Sequence, residues 1–216
     1  MAIRWVFFDV GSTLVDEEAA FKWRYEELRE QIKASMGWEL SYGEFDERMH
    51  EAGKVSDPPI SHVLKDLGVN RRIKYRVELE RPYPGAAELL EKLKQAGYHL
   101  GIIANQGVGL RERLEGYGLT THLDAVFGSD DLQLWKPDVA FYKYALEQTG
   151  CLPEEAVMVG DRVDNDVAPA HKVGMRAVRI LNNSYFDRRK PSCPEEIPEA
   201  TVETLAQLPG VFAKLG

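Results

Sequence analysis

Two cysteines, Cys151 and Cys193, are all that the 216 residues contain. Their spacing fits no metal clip, and one pair makes no disulfide framework. A reducing compartment, the cytoplasm, is therefore the expected setting. No run of about 18 apolar residues occurs, so no membrane span is expected. Nor does a basic segment lead into an apolar stretch and a small-residue cleavage site, so no secretory signal is expected. Positive charge is in deficit as well: 27 Lys plus Arg stand against 35 Asp plus Glu, a formal net charge of −8. That balance argues against a broad basic face for nucleic acid. The local run Arg71, Arg72, Lys74 and Arg76 reads as a solvated helix face, with an anion site as the sharper alternative. The five histidines are scattered without zinc spacing. Also missing are a Gly-x-Ser-x-Gly elbow, a Walker phosphate loop and a Gly-x-Gly-x-x-Gly turn. There is no internal repeat and no low-complexity segment.

What is present is ordinary for a soluble globular chain, 44% hydrophobic and 29% charged. Residues 3–8, 98–104, 124–127, 156–159 and 176–180 are short apolar runs, the pattern of strands buried on both faces of a parallel sheet. Between them lie helical patterns. Leu89, Leu90 and Leu93 share a face over 86–96, and Gly97 is placed to end that helix; 138–149 is closed in the same way by Gly150. Strand and helix alternate from residue 82 onward, which predicts a doubly wound, Rossmann-like α/β core. Residues 16–81 break the alternation. Phe21, Tyr25, Leu28 and Ile32 recur at helical spacing, Ser41 and Glu44 suggest a capping box ahead of Phe45 and Met49, and short helices are expected over 60–67 and 70–80. The expected domains are thus a core of 1–15 and 82–216 and a helical insert of 16–81. The insert departs where ligands bind in such folds, at the carboxyl edge of the sheet.

Acids gather at that edge. Asp9 follows the first apolar run, in FFDVGSTLVD. Asp161, Asp164 and Asp166 follow another, in VMVGDRVDND. Three acids in six residues repel one another unless a cation is near, and a hard cation such as Mg²⁺ would offset the repulsion. The alternative is an acidic first turn favoured by the helix dipole. Lys136, in LWKPD, sits in a third sheet-edge loop and could place a cation near Asp9. Asn105, in IIANQ at the expected end of a strand, is either a turn-closing residue or a donor to a substrate oxygen.

In order and spacing these stretches resemble the haloacid dehalogenase (HAD) superfamily of hydrolases, over nearly the whole chain. Motif one falls at 9–13, a helical C1-type cap at 16–81, motif two at 102–105, motif three at Lys136 and motif four at 160–166. The segment HKVGMRAVRI looks like the family's final core helix and strand. The resemblance implies that Asp9 is the nucleophile and forms an aspartyl-phosphate. It implies Mg²⁺ held by Asp9, the Gly11 carbonyl and Asp161, with Asp166 alongside. Lys136 would steady the nucleophile and the phosphoryl group, and Thr13 and Asn105 would complete the oxygen cradle. The expected partner is a small phosphorylated molecule, with no nucleic acid or membrane, and the chain is expected to be a monomer or dimer.

Two positions depart from the family's phosphatases. Gly11 stands where a second acid normally protonates the leaving oxygen, help of about 100- to 10,000-fold in rate. Ala104 stands where a hydroxyl normally binds a phosphoryl oxygen. The expected function is a Mg²⁺-dependent phosphatase of low or narrow activity. The alternatives are a 2-haloacid dehalogenase, whose halide leaves unprotonated, and a non-catalytic descendant that binds a phosphorylated ligand or a protein. Lys22, Arg24 and Tyr25 are candidates for setting specificity, though core packing or a solvated face explains each more simply.

Overall fold

The computed structural model describes residues 2–55, 58–69, 73–182 and 184–216. The chain divides into two units: Met1–Val15, Pro82–Asn182 and Pro191–Gly216 form the first, Asp16–Arg81 and Asn183–Lys190 the second. Eight strands occur among the described residues: β1 (Trp5–Phe8), β2 (Val15–Asp16), β3 (Arg81–Pro82), β4 (His99–Ala104), β5 (Ala125–Gly128), β6 (Ala156–Gly160), β7 (Arg176–Ile180) and β8 (Ala200–Val202). β2 and β3 make a two-stranded ribbon; the other six form one sheet in the order β5-β4-β1-β6-β7-β8. All five of its pairings are parallel. No helix among the described residues is long and apolar enough to cross a membrane.

The sheet of the first unit is buried on both faces, and the two-residue period of its strands sorts the side chains. Val6, Phe8, Leu100, Ile102, Val157, Val159, Val178 and Ile180 join one apolar cluster. That cluster takes in Leu89, Leu90 and Leu93 of a helix at Ala86–Gln95 and Phe212 of the last helix, Leu208–Leu215. Phe7, Ile103, Met158 and Ala177 face the other way, onto Phe141, Tyr142 and Ala145 of the helix Val139–Thr149. Gly101 leaves room for this packing: a Cβ there would lie 2.6 Å from the Phe7 ring. The expected doubly wound parallel core is what the structure has. The expected final pair, helix Ala168–Lys172 and β7, is not final, because β8 and the last helix follow it. β8 is only three residues long, and Pro209-Gly210 in the last helix reads in sequence as a turn, although proline is tolerated in a helix's first turn.

His171 ties the β8 side of this sheet together. Its Nδ1 lies 2.7 Å from the Glu195 carbonyl and its Nε2 3.0 Å from the Glu199 carboxylate, which also accepts from the Ala177 N–H. Both ring nitrogens face acceptors, so the doubly protonated ring fits best. The Glu199 contact raises the His171 pKa above its ordinary 6.5; against burial, His171 and Ala177 hold Glu199 below its ordinary 4.5. A raised histidine stabilises below its unfolded pKa and loses that as pH rises through the folded value. A lowered glutamate stabilises above its unfolded pKa and loses it as pH falls through the folded value. Wild type should therefore exceed His171→Gln most in stability between about pH 4.5 and 6.5, with the gap closing above neutrality. Urea unfolding across pH would show this, and a pH-independent gap would count against it.

The second unit is helical, with helices at Glu18–Met36, Tyr42–Gly53 and Pro59–Asp66. Tyr25, Leu28, Ile32, Phe45, Met49, Ile60 and Val63 form its core. Ser41 Oγ accepts from the Glu44 N–H at 3.2 Å, the forward half of the expected capping box. The helix expected over 70–80 is not found over 73–80, which holds one 3₁₀ turn, Val77–Leu79. Tertiary contacts win there: Ile73 is buried in the core and the Tyr75 hydroxyl reaches the carboxylates of Glu17 and Glu80 at 2.8 and 2.9 Å. Of the basic run, Arg71 and Arg72 lie outside the described residues; Arg76 pairs with Glu78 and lies over the Trp23 ring.

The same unit holds a strap that the sequence reading left in the core, residues 184–190. Tyr185 enters the helical cluster, edge-on to Phe21 and His50 at 4.8 and 5.1 Å, and Arg188 pairs with Glu47 at 2.7 Å. Gly53 is the notch that admits it, since a Cβ there would lie 2.1 Å from the Tyr185 carbonyl oxygen. Backbone cannot yield as a flexible side chain can, so Gly53→Ala is expected to destabilise by about 1–3 kcal/mol. Hydrogen exchange should show the strap's amides losing protection, and an unchanged melt with unchanged exchange would refute the notch.

Candidate active site

β1 lies between β4 and β6, and Asp9 leaves its carboxyl end, the Asp9 N–H still donating to Val159 at 2.9 Å. The chain then closes a tight turn. The Val10 carbonyl accepts from the N–H groups of Thr13, Leu14 and Val15 at 3.2, 2.9 and 2.9 Å. Ser12 takes the left-handed conformation at φ 52°, while Gly11 is not among the glycines of positive φ. Gly11 pairs instead as a bridge with Val15.

Neighbouring β6 delivers two more acids. Asp161 directly follows it, and one turn of π-helix, Val163–Val167, brings Asp166 back to the strand end. Such turns recur at functional positions. Asp166 Oδ2 accepts from the Arg162 N–H at 3.0 Å, and Tyr142 below donates to the Asn165 carbonyl at 2.8 Å. Gly160 is required here: a Cβ would sit 2.2 Å from Asp166 Cγ. Carboxylate oxygens of Asp9, Asp161 and Asp166 lie within 4.8 Å of one another, all three residues buried. Asp164 is not part of this group; the Arg162 guanidinium holds it at 2.8 and 3.2 Å.

Lys136 closes the arrangement. Its Nζ lies 2.6 Å from Asp9 Oδ1 and 2.6 Å from Asp166 Oδ1, with the side chain 1% exposed. Burial opposes its charge, but Asp166 and Asp9 outweigh burial and raise its pKa, so the ammonium persists. Burial pushes Asp166 up to about 6, with Lys136 opposing and Asp9 adding to the rise. Asn105, directly after β4, grips the Lys136 backbone at both sides: its Nδ2 donates to the carbonyl at 2.9 Å and its Oδ1 accepts from the N–H at 2.8 Å. The three clustered carboxylates make an all-oxygen donor set, which suits a hard divalent cation.

Of the residues expected from sequence, Asp9, Lys136, Asp161 and Asp166 are brought together. Asn105 touches Lys136 rather than presenting a free amide. Thr13 is fully buried, and its hydroxyl has no hydrogen-bond partner among the described residues. Sequence reasoning overlooked Gly160 and the buried Arg179, whose Nε donates to the Asp161 carbonyl at 3.0 Å. The glycine directly before Asp161 was the available signal for the first; nothing in the sequence pointed to the second.

The chain is similar in sequence to phosphatases and to a dehalogenase. A glyceraldehyde 3-phosphate phosphatase of Methanocaldococcus jannaschii is 37% identical over 142 residues, 65% of this chain and 60% of that protein. The (S)-2-haloacid dehalogenase 4A of Burkholderia cepacia is 31% identical over 83% of each. Among solved structures, a HAD phosphatase from Thermococcus onnurineus superposes with a TM-score of 0.67 at 26% identity, covering 97% of this chain and 98% of that one. Residues 6–180, from the first strand through the β7 end, match the haloacid dehalogenase-like hydrolases as a family, and to that family the chain belongs.

Proposed function

We propose that the chain is a Mg²⁺-dependent phosphatase of small phosphate esters, with Asp9 as the nucleophile that becomes an aspartyl-phosphate. One observation carries the reading: the Lys136 ammonium lies 2.6 Å from Asp9 and from Asp166, with its side chain 1% exposed. A carboxylate so held keeps its direction of attack. One Asp9 oxygen forms the new bond to phosphorus as the ester oxygen departs with its electron pair. Water then attacks phosphorus, Asp9 is released as carboxylate, and phosphate leaves. Lys136 would also face the charge of the transferring group. Asp9, Asp161, Asp166 and the Gly11 carbonyl are the proposed metal ligands. A bound Mg²⁺ would supply positive charge to the phosphoryl oxygens. Thr13 and Asn105 are the proposed phosphate contacts; Asn105 acts at least as strongly by fixing Lys136. The helical residues 16–81 are proposed to be a C1-type cap, the protein a cytoplasmic monomer or dimer, and Gly11 the cause of low activity.

The 31% identical dehalogenase and the absence of an acid at Gly11 favour a second reading, chloride displacement from a haloacid. The three clustered carboxylates weigh against it, since that reaction uses no metal. Phosphate esters assayed with and without Mg²⁺, beside chloroacetate, separate the two. Calorimetry tests the metal: Asp161→Ala is expected to bind Mg²⁺ at least ~10-fold more weakly than wild type. Equal affinity would remove Asp161 from the site.

A further inference from the structure

Among the described residues of the first unit, the proton-bearing side chains around Asp9 are bound to other groups or sealed from solvent. Lys136 holds two carboxylates at 2.6 Å each. Asp161 and Asp166 belong to the acidic cluster. Arg162 is held by Asp164, and the Tyr142 hydroxyl donates to a backbone carbonyl. Asn105 spends its amide on Lys136, and Thr13 is sealed from solvent. Gly11, two residues beyond Asp9, offers no side chain. Among these described groups of the first unit, every carboxylate is clustered or ion-paired, and none is set aside as a proton donor.

An alkoxide expelled without a proton is a poor leaving group, whereas a carboxylate or a nitrophenolate departs unaided. Resting on the phosphatase reading, we propose that the preferred substrates are phosphates whose leaving group departs as a stable anion, acyl phosphates foremost. The balance of the reaction suits them. An Asp9 oxygen bonds to phosphorus, the phosphorus–oxygen bond to the acyl group breaks, and its electron pair leaves as a carboxylate. Phosphorus passes from one carboxylate to another, so the first step is close to even in energy. Water then bonds to phosphorus, Asp9 departs as the second carboxylate, and the protons of water end on inorganic phosphate and solvent. Neither half needs a side-chain acid. The corresponding place in a reaction sequence is after an enzyme that phosphorylates a carboxylate.

The test is kcat/KM for acetyl, para-nitrophenyl, phenyl and ethyl phosphates with Mg²⁺, with Asp9→Asn as the control, and mass spectrometry of acid-quenched enzyme for phosphate on Asp9. The expected result is a fall of at least ~100-fold from the first pair to the last, with covalent phosphate trapped from acetyl phosphate. Ethyl phosphate turned over within ~10-fold of acetyl phosphate, in an Asp9-dependent manner, would overturn this inference and leave the phosphatase reading standing. No Asp9-dependent phosphate release from any of the four, or chloride release from chloroacetate in its place, would overturn both.

Discussion

Asp9→Asn is expected to lower kcat at least ~1,000-fold on any substrate the wild type turns over. The amide keeps the shape of the carboxylate and retains an oxygen that can accept from Lys136, now at 2.6 Å. What it loses is the anionic oxygen that forms the bond to phosphorus. The melting temperature should therefore move little while turnover collapses. Phosphate release within ~10-fold of wild type, from protein shown by mass to be free of deamidation, would refute the covalent route.

Lys136→Met is expected to do the opposite in emphasis and damage the fold as well. The ammonium pairs with two buried carboxylates, Asp9 and Asp166. Breaking a buried pair by removing one member costs about 3–5 kcal/mol, because the remaining charge is left uncompensated. Urea unfolding without metal should show that loss. Mg²⁺ should restore part of it, since a ligand that binds only the folded state stabilises by mass action. A loss below about 1 kcal/mol without Mg²⁺ would mean the carboxylates do not depend on the lysine.

Much of the core was legible because its strands are buried on both faces. Val157, Met158 and Val159 are all apolar for that reason, and no alternation hides them. β8 was not, since three residues at a sheet edge carry no periodic signal. Residues 73–80 misled because Tyr75 and Ile73 follow distant partners rather than local propensity. In the site, the four charged side chains stood out as charges following apolar runs. The use of Asn105 could not be read, because its partner is backbone 31 positions away. Asp164 lies between Asp161 and Asp166 in sequence, but within the π-turn it pairs with Arg162. Gly53 reads as an ordinary helix-ending glycine, and only the approach of Tyr185 gives it another purpose.

The strap also bears on how such a chain can be recombined. The second unit draws on two separated stretches, Asp16–Arg81 and Asn183–Lys190, so the backbone passes between units at four places. A graft of 16–81 alone from a relative would admit the resident Tyr185 only if it brought a glycine at the place of Gly53. A transferable module has two pieces, and the glycine in one and the tyrosine in the other must be inherited or exchanged as a set.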